Sequence, residues 1–133
     1  MIHPEPAIEI SMVEGSCHCG AVKVQVPKPP HEVEVKECNC SICRRTGAVL
    51  AYYSPKDVRV SGATDIYMWD DRDIEFHRCK VCGVFTHWSP ADKSYDRMGV
   101  NVRLMPPELL TDLRILKFDG ADTWTVTGER RGL

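Results

Sequence analysis

Seven cysteines stand in three tight groups along the chain, a pattern that points to metal ligation or to thiol chemistry. The groups are Cys17 and Cys19, then Cys38, Cys40 and Cys43, and finally Cys79 and Cys82. A disulfide scaffold fits poorly, because such scaffolds favour an even cysteine count and a secreted chain. An extended C-x-C backbone also holds its two Cα atoms near the upper limit for an unstrained bridge. The grouping therefore predicts zinc sites.

The first and third groups are typical of the two halves of a closed site. Each brings two thiolates together next to a glycine, which permits a tight turn. Four thiolates fill the tetrahedral shell of zinc and leave no position for a substrate. We therefore predict a structural zinc that clamps segments sixty-two residues apart in sequence, held by Cys17, Cys19, Cys79 and Cys82.

The middle group offers three thiolates within six residues, as C-x-C-x-x-C. Three protein ligands leave a fourth tetrahedral position for water or substrate, which is typical of a catalytic zinc. We therefore predict a second zinc, and two zinc ions per chain, with the catalytic one on Cys38, Cys40 and Cys43. The C-x-x-C half is expected to begin a short helix, whose free backbone N–H groups stabilise thiolate charge.

Arginines and histidines near the middle group leave two points open. Arg44 and Arg45 either supply positive charge for the thiolates or for a substrate carboxylate, or they are solvated surface residues. A histidine, with His18, His77 and His87 as candidates, could close the group into a second structural site. Alternatively, His77 or His87 could act as a general acid or base if it faces the open zinc.

Composition and net charge narrow the classes of protein to which the chain could belong. The chain has 133 residues, of which 43% are hydrophobic and 27% charged, as expected for one globular domain over residues 1–133 with its core at about 8–128. The net charge of −2, about −5 with seven thiolates and two Zn²⁺, gives no footprint for nucleic acid. No apolar run is long enough for a membrane span and the start lacks a signal peptide, so we expect a cytoplasmic protein.

Short runs of alternating apolar and polar residues predict half-buried strands and a mainly β domain. Two short helices are expected, Ser41 to Thr46 ending at Gly47 and Pro106 to Leu110. The flanks Met1 to Pro6 and Glu129 to Leu133 are expected to be loosely held. The predicted strands are Ile8 to Val13, Ala21 to Val26, Val33 to Lys36, Val49 to Tyr53, Val58 to Val60, Ile66 to Trp69, Ile74 to His77, Val84 to Trp88 and Gly99 to Arg103.

Together the three motifs resemble the glutathione-dependent formaldehyde-activating enzyme family, which also includes centromere-protein-V-like domains. G-x-C-x-C-G occupies Gly15 to Gly20, C-x-C-x-x-C-R occupies Cys38 to Arg44, and C-x-x-C-G occupies Cys79 to Gly83. Weaker matches at Val100 to Leu104 and Phe118 to Gly120 extend the resemblance over most of the chain.

The resemblance implies a β-tent fold of the Mss4-like kind, stapled by zinc. It also implies a structural zinc on the positions of the first and third motifs and a catalytic zinc on those of the second. The family's reaction joins a thiol, glutathione, to formaldehyde and is classed with the carbon-sulfur lyases. A small thiol and a small aldehyde are thus the implied partners, and a homodimer is possible.

The sequence departs from the family at Arg78, where an aromatic residue often stands, with Phe76 two places earlier. Aromatic residues that either line a thiol cleft or belong to the core are Tyr52, Tyr53, Trp69, Phe85 and Trp88. Two other functions stay open. One is a non-enzymatic, zinc-stabilised binding module, and the other is a thiol redox enzyme, which would need a reactive cysteine in addition to the seven ligands.

Overall fold

The computed structural model describes residues 12–133, so the flank Met1 to Pro6 and most of the strand predicted from Ile8 to Val13 lie outside the described residues. Within that range, eleven short strands are joined by tight turns. They are β1 Val13–Ser16, β2 Lys23–Val26, β3 Val35–Cys38, β4 Leu50–Tyr53, β5 Arg59–Ser61, β6 Thr64–Tyr67, β7 Ile74–Cys79, β8 Phe85–Pro90, β9 Met98–Asn101, β10 Arg114–Phe118 and β11 Val126–Arg131.

The strands form a small sheet and a large sheet. The small sheet has the order β1-β2-β5, and the large one β11-β10-β3-β4-β9-β8-β7-β6. Every pair is antiparallel except β3 with β10, whose register places Phe118 beside Cys38. Because parallel strands end at the same edge, the loop after β10 meets the loop after β3.

A single apolar cluster joins the two sheets. In β2 the side chains alternate as the predicted period requires, with Val24 and Val26 buried and Lys23 exposed. Val24 and Val26 pack in one cluster with buried residues of the large sheet, among them Val35, Ala51, Val100 and Ile115. The mainly β class predicted from the alternation is confirmed.

Helical structure is short. The predicted helix after the middle cysteines is present as α1, Cys43–Thr46, and ends at Gly47 in the left-handed region with φ of 72°. The segment Pro106 to Leu110 forms a 3₁₀ turn at Pro107–Leu109. Further 3₁₀ turns lie at Pro30–Glu32, Pro55–Asp57 and Val102–Leu104. None of the helices in residues 12–133 has the length and apolar character of a membrane span.

The C-terminal segment corrects two expectations. Residues 126–131 form β11 on the edge of the large sheet, so the prediction of a loosely held flank is wrong there. The backbone N–H groups of Gly132 and Leu133 donate to the carbonyls of Leu113 and Leu110, at 2.7 and 3.0 Å. The ordered domain therefore extends beyond residue 128.

The strand predicted to reach Arg103 ends at Asn101, whose side chain caps the following 3₁₀ turn.

Candidate metal centres

Four cysteines converge between the two sheets. Cys17 and Cys19 lie in the turn between β1 and β2, while Cys79 ends β7 and Cys82 lies in the turn before β8. Their four Sγ atoms all lie within 4.8 Å of one another. The Sγ atom of Cys19 is 3.7 Å from that of Cys17 and 3.6 Å from that of Cys79. The cluster thus connects the small sheet to the large one.

Backbone N–H groups point at these sulfur atoms. Val22 donates to Cys17 Sγ at 3.2 Å, and Val81 donates to Cys79 Sγ at 3.3 Å. Burial opposes ionisation of Cys17, but the Val22 N–H and the neighbouring thiols lower its pKa overall. Backbone hydrogen bonds lower the pKa of Cys82 to about 6. The Ala21 N–H favours the thiolate of Cys19, but burial and the contacts with the neighbouring thiols outweigh it and raise the pKa of Cys19 to about 11, because one thiolate opposes ionisation of the next without a cation. Four converging free thiols match the donor set of a closed zinc site.

Three cysteines form a second cluster at the end of β3. Cys38 ends β3, Cys40 lies in the following loop, and Cys43 begins α1. Their Sγ atoms also lie within 4.8 Å of one another, and no histidine, carboxylate or further cysteine of residues 12–133 joins them within that distance. The suggestion that a histidine closes this group therefore finds no support in the described part of the chain.

The three thiols of this cluster oppose one another's ionisation. Hydrogen bonds from the thiols of Cys38 and Cys43, with backbone N–H groups at the start of α1, lower the pKa of Cys40 to about 2. The contact with Cys40 raises the pKa of Cys38, and the contacts with Cys38 and Cys40 raise that of Cys43, because a further negative charge would lie beside the first. A bound dication would allow three thiolates at this distance. The donor set thus fits a zinc ion with three protein ligands.

The loop after β10 packs directly on this cluster. A Cβ atom added at Gly120 would overlap the Sγ atom of Cys38, so only glycine fits this approach. Asn39 Nδ2 donates to Asp119 Oδ1 at 3.0 Å, and the N–H of Ala121 donates to Asn39 Oδ1 at 3.0 Å. These bonds fasten the loop, residues 119–125, to the cysteine loop. Trp124 in this loop is 71% exposed.

A cleft of about 820 Å³ opens over the three-cysteine cluster. Of the aromatic residues suggested for a thiol cleft, Tyr52, Trp69 and Trp88 line it, whereas Tyr53 and Phe85 do not. The wall also includes aromatic residues that the sequence analysis did not single out for the cleft, namely Tyr95, Phe118 and Trp124. Burial raises the pKa of Tyr52, which therefore stays a neutral phenol.

The cations of the cleft are not those the sequence suggested. Arg44 and Arg45 are exposed and line no part of it, and Arg45 Nη1 donates to the carbonyl of Ser41 at 2.8 Å. Lys36 and Arg97 line the cleft instead. Lys36 carried a usable sequence signal, since it precedes Cys38 by two residues on one strand. Arg97 carried none, because it comes from a distant segment before β9.

The two strand histidines lie away from the cleft. The rings of His77 and His87 stack on each other, with centroids 4.1 Å apart, and neither lines the cleft. Their chain neighbours Phe76 and Trp88 line it, since side chains alternate along a strand. Neither histidine therefore faces the three-cysteine cluster, as a general acid or base at that site would have to. Phe76 supplies the aromatic wall, and Arg78, the departure from the family, does not line the cleft.

Comparisons with known proteins agree with the cysteine pattern. The family described as glutathione-dependent formaldehyde-activating enzyme matches residues 12–110. A curated protein of Halomonas elongata, whose assigned name is provisionally that of the same enzyme, is 43% identical over 54 residues. That match spans 41% of this chain and about a third of the relative, 31% of its length.

A solved structure supports the fold. The crystal structure of a Rhodobacter sphaeroides protein, a structural genomics target, superposes with a TM-score of 0.60 at 35% sequence identity. The match covers 69% of this chain and 86% of that one. Over that part of the chain, the fold is therefore shared with an experimentally determined protein.

Proposed function

Because the chain belongs to the glutathione-dependent formaldehyde-activating enzyme family, we propose that it is a carbon-sulfur lyase that joins a thiol such as glutathione to formaldehyde or a related small aldehyde. One observation carries this proposal. Three cysteine sulfurs converge beside a cleft, and no fourth protein ligand of residues 12–133 completes their set. Such a site can receive a substrate, whereas the four-cysteine cluster is full.

In this proposal the chain holds two zinc ions with different roles. Cys17, Cys19, Cys79 and Cys82 hold the structural ion, and Cys38, Cys40 and Cys43 hold the catalytic one. The support comes from the donor sets, since four thiolates close a tetrahedral shell and three do not. All seven cysteines are free thiols, which favours a reducing compartment, and we place the protein in the cytoplasm.

The proposed reaction forms a carbon–sulfur bond between the thiol and the aldehyde carbon. The carbonyl becomes a hydroxyl that receives the thiol proton, so no oxidant or reductant is consumed. A zinc ion held by Cys38, Cys40 and Cys43 would supply Lewis acidity and would stabilise a thiolate. The chain itself would position the reactants, since Tyr52, Trp88 and Phe118 line the cleft and give it an apolar surface beside the three cysteines.

A direct test follows formaldehyde labelled with ¹³C by NMR in the presence of glutathione. The zinc-loaded protein is expected to form S-hydroxymethylglutathione faster than the uncatalysed reaction, and Cys40→Ser is expected to lower that rate by a factor of about 100 or more. Arg45→Met, at an exposed position outside the cleft, serves as the matched control. A rate equal to the background in both variants and in the native protein would contradict the proposal.

Metal content separates this proposal from the two alternatives. The lyase proposal expects two zinc ions per chain. When cobalt replaces zinc, added glutathione should change the absorption spectrum of only one of the two metal sites. One zinc with three reactive thiols would indicate redox chemistry instead, although all seven sulfurs already belong to two ligand clusters. Two metal ions whose spectra do not change when a thiol is added would indicate a binding module.

A further inference from the structure

Lys36 brings a half-buried, positively charged side chain into the cleft. It stands two residues before Cys38 on β3, so the period of the strand sends both side chains to one face. Both line the cleft. The Lys36 side chain is 19% exposed, against 38% for Arg97, the other cation among the described residues that line the cleft.

The charge of Lys36 is incompletely balanced. The carboxylate within 4.0 Å of its Nζ atom, among the described residues, is that of Glu34, whose Oε1 lies 3.9 Å away. That distance is too long for a hydrogen bond. The same oxygen already accepts from Arg97 Nη2 at 2.8 Å. One carboxylate therefore faces two cations. Four further carboxylates line the cleft, those of Asp70, Asp71, Asp73 and Asp92, but none of them lies within 4.0 Å of the Lys36 or Arg97 nitrogens, so the positive charge is local to this wall.

Aromatic rings hold the two cations in place. The Nζ atom of Lys36 lies 4.4 Å from the ring centre of Phe118 and 5.7 Å from that of Tyr52. The Arg97 guanidinium lies 3.9 Å from the ring centre of Tyr52, so Tyr52 contacts both cations. Cation–π contacts offset part of the cost of removing these cations from water. Unlike carboxylates, however, the rings do not accept conventional hydrogen bonds from the N–H groups. Lys36 is thus fixed in position with donors to spare.

We propose that Lys36, assisted by Arg97, binds a carboxylate of the thiol substrate and so selects thiols that carry an acid group. This inference rests on the proposed function, since it takes the thiol sulfur to lie at the Cys38 cluster. Two residues of extended strand span about 7 Å, so the selected carboxylate lies within one or two amino-acid units of the sulfur. A cysteine-containing peptide meets that requirement, and a cleft of about 820 Å³ accommodates it.

The test compares two small thiols that differ by one carboxylate, 3-mercaptopropionate and 2-mercaptoethanol. Dissociation constants are measured by calorimetry on the zinc-loaded full chain. The native protein is expected to prefer 3-mercaptopropionate by about 10- to 100-fold, the usual strength of a charge-assisted hydrogen bond. Lys36→Met keeps the length and removes the charge, and it is expected to abolish most of this preference, while Lys36→Arg retains it.

Lys117→Met is the matched control, because Lys117 lies on the neighbouring strand β10, is exposed and lines no part of the cleft. Its preference should equal that of the native protein. The inference is overturned if the native protein shows no preference, if it binds neither thiol, or if the preference survives in Lys36→Met.

The two proposals fail in distinguishable ways. If the protein forms no formaldehyde adduct but loses its carboxylate preference in Lys36→Met, the lyase reaction is refuted and the anion site stands. If it forms the adduct with both thiols at equal affinity, the lyase reaction stands and the role of Lys36 is refuted. The circular dichroism spectrum of each variant confirms that the comparison is made on folded protein.

Discussion

Among the single residues, His87 shows how the β-sheet tolerates a buried titratable group. Its side chain is 4% exposed, and Thr86 Oγ1 lies 2.9 Å from its Nδ1 atom. Burial, with a smaller contribution from the adjacent His77, lowers the pKa of His87 to about 3, and Glu75 opposes the shift. The imidazole is therefore neutral in the folded protein at neutral pH and serves as a packed, hydrogen-bonded ring.

This shift predicts a loss of stability in acid. The unfolded chain takes up the proton at its ordinary pKa of about 6.5, while the folded protein resists it down to about 3. The contribution of His87 to the free energy of unfolding should thus be fully present above about pH 6.5 and fall by at most about 1.4 kcal/mol per pH unit between that pH and about pH 3. Urea unfolding at several pH values should show a shallower fall in His87→Gln. The cysteines are the same in both proteins, so equal slopes would contradict the prediction.

Lys36 and the arginines illustrate the limit of residue-level reasoning from sequence. The grouping of the seven cysteines into a cluster of four and a cluster of three could be predicted, because C-x-C and C-x-x-C spacings constrain which sulfurs can converge locally. The charges around them could not, because Arg44 and Arg45 are close to the cysteines in sequence and point to solvent, while Arg97 reaches the cleft only through the pairing of β9 with β4 and β8.

At the level of elements, local signals predicted more than long-range pairing did. Helix α1 and its end at Gly47 were both predicted, because a short helical segment followed by a glycine at the C-cap is a local sequence signal. Strands β10 and β11 were missed. Strand β11 is exposed at all six positions and has no apolar alternation, so only its pairing with β10 makes it a strand.

The loop after β10 yields a prediction at this level. Gly120→Ala should displace the sulfur of Cys38 and weaken the second zinc site, because the added methyl group overlaps that atom. Zinc content measured after gel filtration should fall toward one ion per chain, with the melting temperature within a few degrees of the native value. Gly128→Ala on β11 is the matched control, since an added Cβ there meets no atom within 4 Å. Full zinc content in Gly120→Ala would refute this account of the loop.

For the molecule as a whole, the two clusters differ in what they join. The four-cysteine cluster connects the turn between β1 and β2 with the turn between β7 and β8, and so links the small sheet to the large one. The three-cysteine cluster lies within one segment, at the end of β3. Loss of the first should loosen the domain, and loss of the second should not.

A matched pair of variants tests this division. Cys82 and Cys40 are both partly buried, so serine at either position removes a ligand without opening a core cavity. Cys82→Ser should lower the melting temperature by roughly 10 °C or more, because zinc binding contributes to folding, whereas Cys40→Ser should melt close to the native protein. Differential scanning calorimetry gives both values. If the two variants melt equally early, the two clusters do not have separate roles.

The separation of sixty positions between Cys19 and Cys79 also affects how the protein is made. A ribosome adds about 5 to 20 residues per second, so the first pair of thiols waits about 3 to 12 s for its partners to be synthesised. During that interval the nascent chain carries an unmatched dithiol that oxidants or other metal ions can capture. Biosynthesis under oxidative stress should therefore damage this protein while it is being translated, before Cys79 and Cys82 can join those sulfurs in one cluster.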